Sequence, residues 1–195
     1  SDIEAEEAIS PYGTTLTVDG GCAGADYTSI QEAIEAANAG DIIEVRGGVY
    51  SEAITINKRI VLVGVIKDGS APIINADGFS SAITVNAKGC IIDGFRIIGA
   101  KDAGITVNSD NNIIKNNIIL GNNIGIKVTG NSNRIFNNYF DNTRNAEDSG
   151  SNYWNTSIEK GVNIIGNPYL GGNYWSDYAG EDINSDGIGD TRHGN

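Results

Sequence analysis

Oxygen-bearing side chains recur at alternate positions of an acidic segment near the C-terminal end of the sequence. Counting from Asp182, candidate ligands fall at positions 1, 3, 5, 7 and 9, with Gly187 at position 6. An EF-hand calcium loop uses this order, with a backbone carbonyl at position 7 and a sharp turn at the Gly. Ca²⁺ is a hard cation that prefers such oxygen ligands. The predicted metal ligands are Asp182, Asn184, Asp186, the backbone carbonyl of Ile188, and Asp190.

The acidic segment departs from an EF-hand in two ways. Position 12 is His193 rather than a bidentate Glu, and no helix is predicted on either side. It is closer to the short DxDxDGxxD calcium sites of extracellular repeats. We therefore expect weaker Ca²⁺ binding, or a site completed by water, Asp177 or Glu181, with a structural rather than a catalytic role. The alternative is an acidic, Gly-rich turn without a metal.

An aromatic cluster precedes the acidic segment. On an extracellular protein such rings could stack on sugar rings, or they could close the end of a hydrophobic core. We favour closure of the core, because the last turn of an apolar interior also needs a cover. The cluster consists of Tyr153, Trp154, Tyr174, Trp175 and Tyr178.

Two further groups could carry covalent chemistry. Cys22 and Cys90 make neither a disulfide framework nor a metal site, so an intramolecular bridge, an intermolecular bridge and two buried thiols all remain open. Asn155 begins an Asn-Thr-Ser glycosylation sequon, which is consistent with an exported chain.

The charge balance limits the classes of partner. Thirteen basic and 25 acidic residues give a formal charge of −12, which argues against nucleic acid and anionic membranes and favours divalent cations. No apolar run approaches the roughly 20 residues that span a bilayer, so no membrane span is predicted. Because the sequence begins at Ser1 without an apolar leader, we expect a processed or trimmed chain.

The elements that position these groups are indicated by a repeat. The segments 92–97, 114–119 and 135–140 match at offsets of 22 and 21 residues, and Ile83, Ile105 and Ile126 follow the same offsets. A period of this length fits a leucine-rich repeat or a β-helix. Short β-branched triplets, separated by Gly, Asn and Asp without a Leu framework, favour the β-helix. We predict an all-β, right-handed parallel β-helix whose Ile ladders fill the core.

Asn residues recur in the same phase. Asn117 and Asn138 share one repeat position, at which Phe95 stands one coil earlier, and Asn116 and Asn137 share the position before it. Stacked Asn amides can bond along the axis, and Asn tolerates the left-handed backbone of tight corners. We interpret these residues as turn formers and not as a ligand site.

An N-terminal cap is also predicted. Ser29 and Glu32 form a capping box, followed by apolar residues at helical spacing, which predicts one helix from about Ser29 to Asn38. Such a helix would cover the open apolar end of the solenoid. A single domain is expected over 1–195, with the N-terminal segment and cap helix in 1–41, coils in 42–145, and an aromatic and calcium-loop cap in 146–195.

The chain resembles a known family. The runs SIQEAIEAA (29–37), GDIIEV (40–45) and GVYSE (48–52) are similar to the opening of pectin-lyase-like β-helices. The Asn-rich coils and the block GGNYWSDYAG (171–180), followed by 182–191, resemble NosD-type or CASH-domain repeat proteins of archaeal cell surfaces. The resemblance covers nearly the whole chain and implies a parallel β-helix at a cell surface.

Enzymatic and copper functions find little support in the residues. Polysaccharide lyases and hydrolases need paired carboxylates or Ca²⁺ with a base on one face, whereas Asp93 is followed at equivalent positions by Lys115 and Phe136. The lone His193 is not expected to be a catalytic base, so no catalytic residue is predicted. The copper link of the NosD name lacks ligands, since Met is absent and His is single.

The predicted function is a non-enzymatic extracellular structural protein of the cell envelope, stabilised by Ca²⁺. It would self-associate as a subunit of a surface layer (S-layer), sheath or filament. One alternative is a glycan-binding or adhesive module of a surface protein, with polysaccharide as the partner. A second alternative is a polysaccharide lyase or hydrolase.

Overall fold

Short strands joined by tight turns wind into coils that stack in parallel. The computed structural model describes residues 13–21, 24–181 and 183. Three parallel sheets run along the stack, and each full coil contributes one strand to each sheet in the order A, C, B. These sheets enclose one apolar core.

The strands have the following bounds. Sheet A comprises β1 (Thr15–Val18), β2 (Ile42–Arg46), β5 (Val61–Val65), β8 (Ile91–Asp93), β11 (Ile113–Lys115) and β14 (Arg134–Phe136). Sheet B comprises β4 (Ile54–Ile56), β7 (Ser81–Val85), β10 (Ala103–Val107), β13 (Ile124–Val128) and β16 (Arg144–Asp148). Sheet C comprises β3 (Val49–Tyr50), β6 (Ile73–Asn75), β9 (Arg96–Ile98), β12 (Ile118–Leu120), β15 (Tyr139–Asp141) and β19 (Tyr174–Trp175). The remaining elements are helix α1 (Ile30–Ala36) and an antiparallel pair, β17 (Glu159–Lys160) and β18 (Tyr169–Leu170).

The strand register confirms the predicted parallel β-helix. Ile83 pairs with Ile105, which pairs with Ile126 in turn. The second series, from Ile92 through Ile114 to Ile135, is likewise one ladder. Inward Ile and Val side chains are fully buried along both ladders. Each such side chain contributes about 1.5–3 kcal/mol of transfer free energy, so the ladders dominate the stability of the stack.

The coils before β8 are unequal in length. Ile42 pairs with Val61, and Val61 pairs with Ile91, so successive strands of sheet A lie at different spacings along the chain. The longer coil includes a loop in which Lys67 and Ser70 form an isolated bridge. The regular period is therefore confined to the later coils, which is why self-comparison of the sequence finds it only there.

A buried Asn ladder crosses the turn between sheets A and C. The Phe95 N–H donates to Asn117 Oδ1 at 3.0 Å, and the backbone N–H and Nδ2 of Asn117 donate to Asn138 Oδ1 at 3.0 and 3.1 Å. Asn138 donates in the same way to Asn173. The predicted stacking of Asn117 on Asn138 is thus present. In the neighbouring row, Asn116 and Asn137 adopt the left-handed backbone conformation, with φ of 56° and 53°.

Two further Asn ladders occupy the other two turns. At the turn from sheet B to sheet A, amides of successive coils bond through Asn112, Asn133 and Asn152, beginning at the Cys90 N–H. At the turn from sheet C to sheet B, the Ala100 N–H begins a ladder of Asn122 and Asn142, which ends on Asn145. Sequence reasoning missed both ladders, although Asn112 and Asn133 repeat at the same spacing as the ladder that was found.

The N-terminal helix forms as predicted but is shorter, over Ile30–Ala36. The Glu32 N–H donates to Ser29 Oγ at 3.3 Å, which is the predicted cap. The Glu52 carboxylate adds a second cap, accepting from the Ile30 N–H and from Gln31 N–H at 2.9 and 3.0 Å. Gln31 Oε1 accepts from the Thr55 N–H, so the helix satisfies the edge of β4.

Candidate functional site

Stacked aromatic rings continue two ladders at the C-terminal end of the solenoid. Phe140 and Trp175 stack with ring centroids 4.7 Å apart, and Tyr139 and Tyr174 stack at 4.5 Å. Trp154 tilts against Trp175 at 5.5 Å. Trp154 and Trp175 are half-buried and pack against the core cluster, so they cover its last coil.

The other predicted aromatics are placed differently. Tyr153 is 60% exposed, although its backbone pairs with Arg134 and extends sheet A. The Tyr178 N–H donates to the Trp175 carbonyl at 3.1 Å, and its ring is half-buried. Among these rings, Tyr153 offers the most accessible face to a ligand. On the side of sheet C, desolvation raises the pKa of the Tyr139 hydroxyl above its usual value.

The predicted calcium ligands Asp182, Asn184, Asp186, Ile188 and Asp190 lie outside the described residues. Calcium binding therefore stays a prediction.

Of the two carboxylates expected to complete the calcium site, Asp177 Oδ1 accepts from Asn145 Nδ2 at 2.7 Å and Glu181 is exposed. Within residues 13–21, 24–181 and 183, no three His, Cys, Asp or Glu side chains are placed to hold a metal ion. Asp177 ties the segment after β19 to β16.

Cys90 is a free thiol with 0% exposure, and Cys22 lies outside the described residues. The Cys90 Sγ contacts the carbonyl oxygens of Ala87 at 3.3 Å and Lys58 at 3.6 Å. Burial raises the pKa of this thiol. A crosslink between chains through Cys90 would require the coil to open.

The sequon lies on an exposed loop that leaves the stack after Tyr153, the residue that pairs with β14. Asn155 is exposed, at the start of the segment 155–172 that leaves sheet A and returns at β19. Arg134 Nη2 donates to Thr156 Oγ1 at 3.0 Å and holds the sequon beside sheet A. The acceptor amide is thus accessible to a modifying enzyme.

The Asp93 carboxylate on sheet A is held by a cation and an amide. Lys115 Nζ lies 3.4 Å from Asp93 Oδ2, and the register sets Val63 and Lys115 on either side of Asp93. Asn116 Nδ2 donates to the other Asp93 oxygen at 2.7 Å. A neighbouring carboxylate is therefore not placed beside Asp93 on sheet A.

Asp19, near the N-terminal end of the described residues, is a buried carboxylate. Lys67 Nζ donates to Asp19 Oδ2 at 2.7 Å, and Arg46 lies 3.8 Å from the same oxygen. The hydrogen bond from Lys67, assisted by that from the Gly21 N–H, lowers the pKa of Asp19. This carboxylate is fixed as a charged structural group.

The outer faces of the sheets differ in polarity. Sheet B carries a Thr row of Thr55, Thr84 and Thr106, beside an exposed Asn row in which Asn86 donates to Asn57 at 2.9 Å. Sheet C carries mostly apolar outward side chains. A shallow groove of about 620 Å³ follows the turn between sheets C and B.

The groove has a mixed lining. Lys101, Asn123, Asp141 and Thr143 contribute polar side chains, and Leu120 contributes an apolar one. Its open form suits an extended chain better than a small molecule.

Together these features define a parallel β-helix closed by a helix at one end and by aromatic rings at the other. A family model described as "Periplasmic copper-binding protein (NosD)" matches residues 65–180. The chain belongs to this NosD family. Across the described residues, no helix combines the length and apolar character needed to cross a membrane.

Similar proteins include a cell surface glycoprotein of Methanothermus fervidus. It is 40% identical over 96 residues, which make up 48% of this chain and 16% of that protein. A pectin methylesterase variant in complex with a hexasaccharide has 17% identity and a TM-score of 0.48, covering 71% of this chain and 59% of that one. A pectin methylesterase of Aspergillus niger has 16% identity and a TM-score of 0.41, covering 73% and 61%.

The described residues do not fit a copper site. Copper is held in proteins by His, Cys and Met side chains. The chain has no Met, its single His193 lies outside the described residues, and the Cys90 thiol is buried against backbone carbonyls.

The aromatic cap can be tested by truncating its rings. Trp175→Ala removes a ring that stacks on Phe140 and covers the core, so we expect the free energy of unfolding to fall by about 3 kcal/mol. Tyr153→Ala removes an exposed ring and should change it by less than about 0.5 kcal/mol. Urea unfolding measures both variants. Equal, small losses would contradict a covering role for Trp175.

Proposed function

We propose that this chain is a non-enzymatic structural module of an extracellular cell-envelope protein. It associates with copies of itself in a surface layer, sheath or filament. The observation that carries the proposal is the solenoid itself, whose core is covered at both ends and whose central Asp93 carboxylate is paired with Lys115. Such a body offers its sides, rather than a catalytic cleft, to its surroundings.

The comparisons support an extracellular location. The relative from Methanothermus fervidus is named a cell surface glycoprotein, and the NosD description is of a periplasmic protein. This chain spans only 16% of the glycoprotein, so a repeated or modular role within a longer surface protein is compatible with its length. The exposed sequon at Asn155 is also consistent with export.

The pairing of carboxylates supports a non-enzymatic role. Asp93 is bound to Lys115 and Asn116, and its neighbours in register are Val63 and Lys115. A glycoside hydrolase places two carboxyl groups about 5 to 9.5 Å apart around the scissile bond. A polysaccharide lyase or hydrolase would need an arrangement that this part of sheet A does not supply.

A glycan-binding module is the second candidate. It is favoured by the exposed Tyr153 ring and by the half-buried stack of Tyr139 and Tyr174 on the outside of sheet C. Aromatic rings of this kind can stack on sugar rings. Quenching of Tyr and Trp fluorescence on titration with envelope polysaccharide, lost in Tyr153→Ala, would favour this candidate over the structural one.

Calcium is proposed as the stabilising ion of the acidic segment. At Ca²⁺ concentrations near 100 times Kd, binding would add about 2.7 kcal/mol to the free energy of unfolding. For a domain of this size, we expect EDTA to lower Tm by roughly 5–10 °C. Asp186→Asn should lower Tm similarly in Ca²⁺ and remove the response to EDTA. An unchanged Tm of the wild-type chain in EDTA would contradict the calcium proposal.

Self-association is the direct test of the structural role. We expect sedimentation of the wild-type chain in Ca²⁺ to show mass rising with concentration, and electron microscopy of concentrated samples to show ordered contacts between solenoids. A chain that stays monomeric up to its solubility limit, with Ca²⁺ and without reductant, would contradict the proposal.

A further inference from the structure

The outer face of sheet C carries a strip of apolar side chains along the solenoid axis. In one row, Arg96 pairs with Ile73 on one side and Ile118 on the other, and the row continues to Tyr139 and Tyr174. The aliphatic members and the tyrosines are half-buried in the single chain. The sheet C strip consists of Ile73, Arg96, Ile98, Ile118, Leu120, Tyr139, Asp141 and Tyr174.

Two exposed charges of opposite sign flank the middle of this strip. Arg96 lies on β9 and Asp141 on β15, each one strand away from the central β12. Among the described residues, neither side chain takes part in an ion pair. By contrast, the Lys115 and Lys127 side chains on sheets A and B pair with carboxylates of the same chain.

The geometry explains why Arg96 and Asp141 do not meet within one chain. Neighbouring strands are about 4.8 Å apart, so the two residues are separated by roughly 9.6 Å across the sheet and a further two-residue step along it. Both side chains are exposed on the outer face of the sheet and project away from it, rather than toward each other. Their charges are available to another molecule that faces the strip.

A second copy of this chain has the complementary pattern. Consider a two-fold axis that is parallel to β12 and lies midway between two facing copies of sheet C. β9 of one copy then faces β15 of the other, and Ile118 and Leu120 face their own counterparts. Two sheets packed face to face lie about 10 Å apart with nearly aligned strands. Arg96 then points at the Tyr139 ring and the Asp141 carboxylate of the second copy, and the reverse contact forms by symmetry.

We infer that the sheet C strip is a self-complementary contact through which two copies of this chain pair side by side. This inference rests on the proposed structural function and names the surface that would serve it. The strip is small, about 24 Å by 10 Å from its five strands, and falls below the roughly 800 Å² per partner of a standard interface. Pairing is therefore weak in dilute solution and is strengthened by the high local concentration of a surface array.

Charge reversal tests the two-fold arrangement. In Arg96→Glu alone, each contact sets Glu against Asp141, and in Asp141→Arg alone it sets Arg against Arg96. We expect each variant to lose self-association by at least about tenfold in sedimentation equilibrium, because like charges oppose each other. An equimolar mixture should associate again, since each mixed pair has opposite charges in both contacts.

Lys88→Glu is the matched control. Lys88 is exposed on the turn between sheets B and A, and its reversal changes the net charge by the same amount as Arg96→Glu. It should associate like the wild type, and adding it to Asp141→Arg should not rescue that variant as Arg96→Glu does. Because Arg96 and Asp141 are exposed, both variants should keep the wild-type Tm.

The outcomes separate this inference from the proposed function. If the wild type associates and both reversals associate equally well, the strip is not the contact, while the structural role stands. If the single variants lose association and their mixture does not recover it, the two-fold pairing is wrong. If the wild type never associates, both the inference and the proposed function fail.

Discussion

The fold depends on how the tight turns between sheets satisfy their buried backbone amides. A turn of two or three residues cannot continue the strand ladders, and an unpaired buried N–H costs about 1–3 kcal/mol. An Asn side chain can satisfy such an N–H, because its carbonyl oxygen accepts hydrogen bonds and its NH₂ group donates two more. At the turn between sheets A and C, Asn117 Oδ1 accepts the Phe95 N–H of the preceding coil while its Nδ2 donates to Asn138.

These amide bonds set the register of the stack, and the register decides what each outer face presents. Asn112, Asn117 and Asn122 each bond both the coil before and the coil after. A slip of one residue would therefore break the ladders at all three turns together. Because the register holds, Asp93 lies beside Lys115, the Thr row forms on sheet B, and Arg96 and Asp141 flank β12. The composition of these outer faces is a consequence of the same bonds that hold the register.

Much of the architecture could be predicted from the sequence because it repeats. The offsets of 22 and 21 residues in the later coils indicated the ladders of Ile83 and Ile92, and the cap at Ser29 follows from local helix signals. The second cap from Glu52 could not be predicted, because it comes from a strand-linking segment that only the fold brings to the helix. The early coils hide their register because they are unequal in length, so no fixed offset aligns their strands.

The candidate surfaces were harder to predict than the fold. Tyr174 stacks on Tyr139 only after the excursion 155–172, whose length conceals that β19 belongs to sheet C. The sequence does not show that Arg96 and Asp141 lie on either side of β12, because this follows only from the register of β9, β12 and β15. The calcium segment, by contrast, carries its signal within nine residues of sequence and stays a prediction.

The central claim, that corner amides hold the register, is tested most directly by hydrogen exchange of the backbone amides at the turns. If the ladders hold the stack together, the Cys90, Phe95 and Ala100 N–H groups should exchange among the slowest in the chain, at the free energy of global unfolding. The Asn117 and Asn133 N–H groups, which donate to the Asn of the next coil, should exchange as slowly as these three. Fast exchange at these turns, while the strands beside them stay protected, would contradict the account.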